Sequence, residues 1–112
     1  MSEARAKLNF IRMSPFKIRM VANTIKGRKA REALAILEHS PRRAGRPLRK
    51  LLESAIANAT ENHDLDADAL VVKNVYVDQG ITMKRWLPRA MGRATPLRKR
   101  TAKITIIVAE EE

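Results

Sequence analysis

Residues 70–109 read LVVKNVYVDQGITMKRWLPRAMGRATPLRKRTAKITIIVA, in which two apolar runs enclose a long basic segment. The runs, 70–77 and 101–109, are dominated by β-branched residues, and we expect each of them to form a strand. A segment this long between paired strands is unusual in a compact domain and is usually functional or disordered. Residues 79–103 contain no Asp or Glu but eight bases: Lys84, Arg85, Arg89, Arg93, Arg98, Lys99, Arg100 and Lys103. Charge of one sign indicates a polyanion as the partner.

Residues 78–100 admit two interpretations, a solvated loop or a two-stranded extension of the flanking hairpin. The extension is favoured because disordered segments seldom contain Trp and spaced Met, Leu and Ile, as this segment does. A ribbon with about ten residues per side would reach roughly 30 Å from the body. Such a ribbon is marginal alone and needs a partner along its length. Trp86 would clamp the ribbon or stack on a base, and the clamp is favoured.

The chain before this segment contains one further strand and one well-marked helix start. Residues 4–11 alternate apolar and polar side chains, which is typical of a half-buried strand. Ser14 and Pro15 form an N-cap and a first helical residue. The apolar stripe of this helix comprises Ile18, Val21, Ala22 and Ile25, and Gly27 is expected to end it.

Two more helices are expected before the acidic turn NHDLDAD (62–68). One begins near Ala30 and ends near His39. The next runs from Pro47 to Ala59, with small residues that suit close packing: Ala55, Ala57 and Ala59. The order of elements predicts an α+β fold, with a small three-stranded antiparallel sheet packed with three helices and a long extended β-hairpin arm. At 112 residues we expect a single domain, with a globular body of about 1–78 and 101–112 and a basic hairpin of about 79–100.

The net charge of +11, from 23 bases and 12 acids, argues for nucleic acid or an anionic membrane surface as partner. Seven of the acids are segregated, in residues 61–68 and 110–112. Three further clusters of bases add to the arm: Lys17 and Arg19; Lys26, Arg28, Lys29 and Arg31; and Arg42, Arg43, Arg46, Arg49 and Lys50. The absence of Cys excludes disulfides, thiolate nucleophiles and zinc fingers. Without a signal-peptide pattern or a membrane-length apolar run, we expect a cytosolic protein.

Catalysis has little support in the sequence. His39 and His63 lie 24 positions apart without a nucleophile or metal partner, and the acids of 61–68 lack the spacing of a calcium loop. We therefore expect no enzyme activity, cofactor or metal. A helix-turn-helix around Gly27 is disfavoured because its second helix, EALAILE (32–38), is apolar where base-reading side chains would be needed. Membrane binding is disfavoured because the arm lacks a wide apolar helical face.

Six segments together resemble the bacterial large-subunit ribosomal protein L-twenty-two family, and the match runs essentially end to end. They are SPFKIRMVANTIKGR (14–28), ESAIANA (53–59), NHD (62–64), YVDQG (76–80), MKRWLPRAMGRA (83–94) and KRTAKITIIV (99–108). The resemblance implies a body on the surface of the large subunit and a hairpin that threads through ribosomal RNA to the wall of the peptide exit tunnel. Pro47 falls where relatives continue the third helix, so that helix begins late or carries proline in its first turn.

The resemblance also implies particular site residues. The RNA-binding residues would be Lys17, Arg19, Lys84, Arg85, Arg89, Arg93, Arg98, Lys99 and Arg100. The tunnel-lining tip would comprise Met83, Lys84, Arg85, Ala90, Met91, Gly92 and Arg93. The implied partners are large-subunit ribosomal RNA, neighbouring ribosomal proteins and the nascent peptide, with no membrane contact and no homo-oligomer. A structural role in bridging several RNA domains during assembly, in the cytoplasm, follows from the resemblance. The alternative is a general RNA- or DNA-binding protein or nucleic-acid chaperone off the ribosome.

Overall fold

The computed structural model describes residues 3–80, 83–88, 94–99 and 101–110 of the chain. Its strands are β1 (Glu3–Ile11), β2 (Leu70–Gln79), β3 (Met83–Pro88), β4 (Ala94–Lys99) and β5 (Ala102–Glu110). Its helices are α1 (Pro15–Ala22), α2 (Ala30–Glu38) and α3 (Gly45–Asn62), and a 3-10 turn covers Ala67–Ala69. The predicted α+β class is confirmed, with three helices and a three-stranded antiparallel sheet among the described residues.

The three-stranded sheet has the order β1-β5-β2, so the last strand of the chain lies in the centre. Ile106 of this strand is paired with Ala6 on one side and with Val75 on the other. The expected apolar face of β5 is confirmed, since Ala102, Ile104, Ile106 and Val108 are all buried. Each edge strand contains a register shift, between Leu8 and Ile11 in β1 and between Val72 and Asn74 in β2. The central β5 therefore holds the two edges together.

Helix α3 packs most closely on the sheet through small and branched side chains. Leu48, Leu52, Ala55 and Ala59 are fully buried at helical spacing, whereas Ala57 is exposed. The expected close packing is thus confirmed for Ala55 and Ala59 and was wrong for Ala57. The reason is geometric: residues four apart share a face of a helix, and the residue midway between them lies on the opposite side.

Helix α1 begins where the sequence predicts and ends five residues earlier than expected. The Ser14 hydroxyl accepts from the Lys17 N–H at 3.5 Å, which is the predicted N-cap, but the last helical residue is Ala22 and not Gly27. The Thr24 hydroxyl donates to the Val21 carbonyl at 2.6 Å, and this local bond competes with the helical ladder. The turns of residues 23–27 follow the helix, and they end at Gly27, which has a left-handed φ of +77°. The Gly27 N–H donates to the Val72 carbonyl at 2.9 Å. This segment is therefore attached to the edge of β2.

The other two helices follow their predictions closely. Helix α2 begins at Ala30 and is capped by His39, as expected. Helix α3 begins at Gly45, two residues before the predicted start, so that Pro47 lies in its first turn. Proline is tolerated there because the first N–H groups of a helix have no intrahelical acceptor.

The described residues of the basic segment form a second, two-stranded sheet of β3 and β4. Their ladder runs from Met83 opposite Lys99 to Pro88 opposite Ala94, as the ribbon interpretation predicts. The radius of gyration is 17.2 Å, against about 13 Å for a compact chain of this length, and the longest dimension is 64 Å. The molecule is therefore elongated.

Candidate nucleic-acid interface

Arg19, a predicted RNA-binding residue, is held against the edge of the sheet. Its Nε and one Nη donate to the main-chain carbonyl oxygen of Val77 at 3.1 and 2.7 Å. A guanidinium carries five N–H groups, so three remain for another acceptor. Val77 lies three residues before Gly80, where β2 has ended. Arg19 therefore fixes the strand that leads into the basic segment and still has donors for an anion.

Lys17, the other predicted site residue of the body, lies on an exposed part of α1. Helical spacing places its side chain beside that of Met20, which is 39% exposed. No ion pair is found for Lys17 among the described residues. Lys17 is therefore a base that an anion outside the chain can reach.

Five predicted site residues lie on β3 and β4, where the described ladder fixes their pairing. Lys84 is directly opposite Arg98, Met83 is opposite Lys99, and Arg85 is opposite Leu97. Like charges at directly paired positions destabilise a ladder. The ladder therefore places two basic residues at directly paired positions of the ribbon.

The remaining predicted residues lie outside the described residues, and their assignment stays a prediction. They are Arg89, Ala90, Met91, Gly92, Arg93 and Arg100.

A close backbone approach marks the point where the three-stranded sheet leads into the basic segment. The Gly80 N–H donates to the Thr101 carbonyl at 2.9 Å, and a Cβ on Gly80 would lie 2.6 Å from the Thr101 hydroxyl oxygen. Thr101 is fully buried. The ladder of β2 with β5 and the ladder of β3 with β4 also do not share one register. Three residues separate Gln79 from Met83, whereas two separate Lys99 from Ala102. Reasoning from residue types missed this constraint, although a Gly at the end of a strand run is the usual signal of a close approach.

Four of the described acids, Glu3, Asp66, Asp68 and Glu110, lie at the end of the sheet farthest from the basic segment, whereas Asp78 lies at the near end. The Glu110 carboxylate accepts from the Asp66 N–H at 2.9 Å, and Asp68 is paired with Arg31. Glu3 pairs with Lys73 across the outer face of β5, and the Lys73 ammonium holds the pKa of the Glu3 carboxyl below its ordinary value. Because Ala102 begins β5 and Glu110 ends it, these acids are remote from the basic segment. The two ends of the body therefore differ in charge.

Neither a metal-binding cluster nor a membrane-spanning helix is found among the described residues. They contain no group of three or more His, Cys, Asp or Glu side chains placed to hold a metal ion. No helix in the described ranges combines the length and the apolar character that crossing a membrane requires.

Comparison with known proteins identifies the family. The family model described as "Ribosomal protein L22p/L17e" matches residues 6–109. Proteins named "Large ribosomal subunit protein uL22" from two strains of Desulfitobacterium hafniense are 50% and 49% identical over 112 residues, which is 100% of this chain and 98% of each relative. The protein of that name from Desulforamulus reducens is 48% identical over 110 residues, 98% of this chain and 97% of the relative. These matches confirm the family resemblance found in the sequence, and the chain belongs to the ribosomal protein L22p/L17e family.

Proposed function

We propose that the chain is a structural protein of the large ribosomal subunit, where it binds ribosomal RNA through its body and its basic ribbon. The observation that carries this proposal is the pairing of Lys84 with Arg98 in a two-stranded ribbon of an elongated molecule. A ribbon with such pairs is stabilised by phosphates that surround it. The name of the relatives, which are about half identical to this chain over nearly its full length, supports the ribosome as the location.

The mechanism is charge neutralisation at many points. Each Lys or Arg that contacts a phosphate releases counterions from the RNA, which favours binding and makes it strongly dependent on salt. A two-stranded ribbon has little stability of its own, so RNA contacts along its length stabilise it. The body sets the direction of the ribbon through Arg19 and Gly80, and the bases bind RNA segments that converge on it. The protein thereby bridges several RNA domains during assembly.

Membership of this family also supports more detailed roles for the body, the arm and the arm tip. The chain acts as one domain, with a body of about 1–78 and 101–112 and an arm of about 79–100. The arm tip, from Met83 to Arg93, lines the peptide exit tunnel and meets the nascent peptide. Neighbouring ribosomal proteins contact the body in the cytoplasmic ribosome. The protein contributes binding and shape and no catalysis.

Sedimentation of a tagged chain tests the proposal. In a bacterial lysate separated on a sucrose gradient at physiological salt, the tagged protein should migrate with the large subunit. Migration with bulk messenger RNA or DNA would contradict the proposal and favour a general nucleic-acid-binding protein off the ribosome.

A further inference from the structure

A groove with a volume of about 720 Å³ lies between the end of β1 and the first half of α3. Its apolar lining includes Leu8, Ile11, Met13 and Leu51. Four bases line it as well: Arg12, Arg43, Arg46 and Lys50. All four bases are exposed, and in the described part of the chain none of them forms an ion pair. No acidic residue lines the groove.

Two of these bases, Arg46 and Lys50, are arranged unfavourably for helix stability. Arg46 and Lys50 are four residues apart in α3, which brings their like charges to one side of the helix, and Arg43 lies just before the helix begins. Arg46 is also in the first turn of the helix, where the macrodipole disfavours a cation and where no acidic residue is present. By contrast, the neighbouring Arg49 of the same helix is neutralised by an ion pair with Glu53 at 3.2 Å. The unpaired row is therefore suited to an anion from outside the chain.

The groove lies at the same end of the body as the basic ribbon. Ile11, in its lining, is paired with Ala102, and Ala102 is also paired with Gln79 at the end of β2. The acids Asp66, Asp68 and Glu110 lie at the opposite end of β5. An RNA strand that follows the ribbon toward the body therefore passes close to the groove.

We propose that this groove holds one unpaired nucleotide of ribosomal RNA. The base and ribose pack against the apolar lining, and the phosphates on either side contact the four bases of the rim. Pockets for small ligands have volumes of about 300–1,000 Å³, so the groove is large enough for a nucleotide. Unstacked bases of RNA are commonly held by apolar or guanidinium surfaces. The inference rests on the proposed function; an acidic peptide is the competing occupant, and RNA is favoured because the ribbon brings it to this end.

A photoreactive amino acid at position 54 tests the proposal directly. Ser54 lines the groove and is exposed, whereas the exposed Glu53 beside it does not line the groove and is the control position. In assembled large subunits, the residue at position 54 should crosslink to one discrete nucleotide, and the residue at position 53 should not. A crosslink from position 54 to protein alone, or no crosslink, in particles that still contain the protein would overturn the proposal and leave the proposed function intact. Loss of the protein from the particles would overturn both.

Paired variants test the charges of the rim. Binding of the purified protein to isolated large-subunit RNA should show a log–log salt slope that is smaller by about 1.4 in the Arg46→Gln/Lys50→Gln double variant, at about 0.7 per lost phosphate contact. Arg49→Gln, which removes a charge already paired with Glu53, should leave the slope unchanged. Circular dichroism should show all of these proteins folded. Equal slopes in the wild type and the double variant would overturn the assignment of the rim.

Discussion

The guanidinium of Arg19 donates two hydrogen bonds, at 3.1 and 2.7 Å, to the main-chain carbonyl oxygen of Val77. This contact joins α1 to the outer edge of β2, on the side that β5 leaves unpaired. It lies three residues before Gly80, where a second close contact with Thr101 follows. Two successive contacts thus fix the path of the chain into the basic segment. A base that the family resemblance assigns to RNA binding thus also contributes to the architecture.

Replacing Arg19 should therefore lower stability. In Arg19→Gln the two hydrogen bonds to the single Val77 carbonyl are lost, and we expect the free energy of unfolding to fall by roughly 1.5–3 kcal/mol, because a hydrogen bond from a charged donor contributes about this much. Urea denaturation measures it. Lys17→Gln, on the exposed surface of the same helix, is the control and should change stability by less than about 0.5 kcal/mol. Equal effects of the two variants would show that Arg19 has no architectural role.

Gly80→Ala should destabilise the protein through its contact with Thr101. The new Cβ would lie 2.6 Å from the Thr101 hydroxyl oxygen, so the buried Thr101 side chain or one of the strands must shift. Overpacking of this kind typically costs about 1–3 kcal/mol. A double-mutant cycle with Thr101→Ala, followed by thermal unfolding, checks the cause, since Gly80→Ala should cost less in that background. Additive effects of the two substitutions would contradict the contact.

Substitutions at Gly27 should depend on backbone conformation alone. Its φ is +77°, and an added Cβ would meet nothing within 4 Å. Gly27→Ala should therefore cost roughly 1 kcal/mol from strain, and Gly27→Asn should cost less because Asn tolerates the left-handed region better. Chemical denaturation of both variants tests this. A larger cost for Asn than for Ala would indicate a steric cause instead.

The ion pair of Glu3 with Lys73 predicts a pH dependence. The pKa of Glu3 is lowered in the folded protein, mainly by the hydrogen bond from Lys73. A carboxyl with a lowered pKa stabilises the fold above its unfolded pKa and loses that effect as the pH falls through its folded pKa. The stability difference between the wild type and Lys73→Gln should thus be larger at pH 7 than at pH 2, and added salt should reduce it at pH 7. A difference that persists at low pH would contradict this origin.

A short turn in place of residues 81–100 should separate the body from the arm. Asn-Gly between Gly80 and Thr101 supplies the turn that two-residue hairpins favour. We expect a thermal midpoint within a few degrees of the wild type, because the described core is built from the helices and the three-stranded sheet. The salt slope of RNA binding should fall by up to about 5, since seven bases are removed. Loss of cooperative unfolding would mean that the arm belongs to the core.

Local patterns predicted the fold well wherever one element determines its own structure. Ser14 and Pro15 begin α1 as expected, and the spacing of Ala55 and Ala59 marks the buried face of α3. The early end of α1 was not predictable from periodicity, because Ile25 continues the apolar stripe and is fully buried although it follows the helix. The Thr24 hydroxyl and the pairing with β2 decide that boundary, and the second of these is a long-range contact.

The positive charge of the candidate site was predictable from the sequence, but the spatial arrangement of its residues was not. The density of bases in residues 79–103 is enough to indicate a polyanionic partner before the fold is known. The contact of Arg19 with Val77 spans 58 positions of sequence, and Arg12 joins the bases of α3 only through packing of β1 against that helix. No local pattern signals either arrangement. The sequence therefore indicates the class of partner, while the fold selects which bases act together.

Crosslinking of the protein to RNA in cells, followed by sequencing of the attached fragments, tests the central claim most directly. Binding through both the body and the ribbon predicts discrete sites in several domains of large-subunit ribosomal RNA. Scattered messenger RNA fragments, or recovery mainly of DNA, would contradict a structural role in the large subunit.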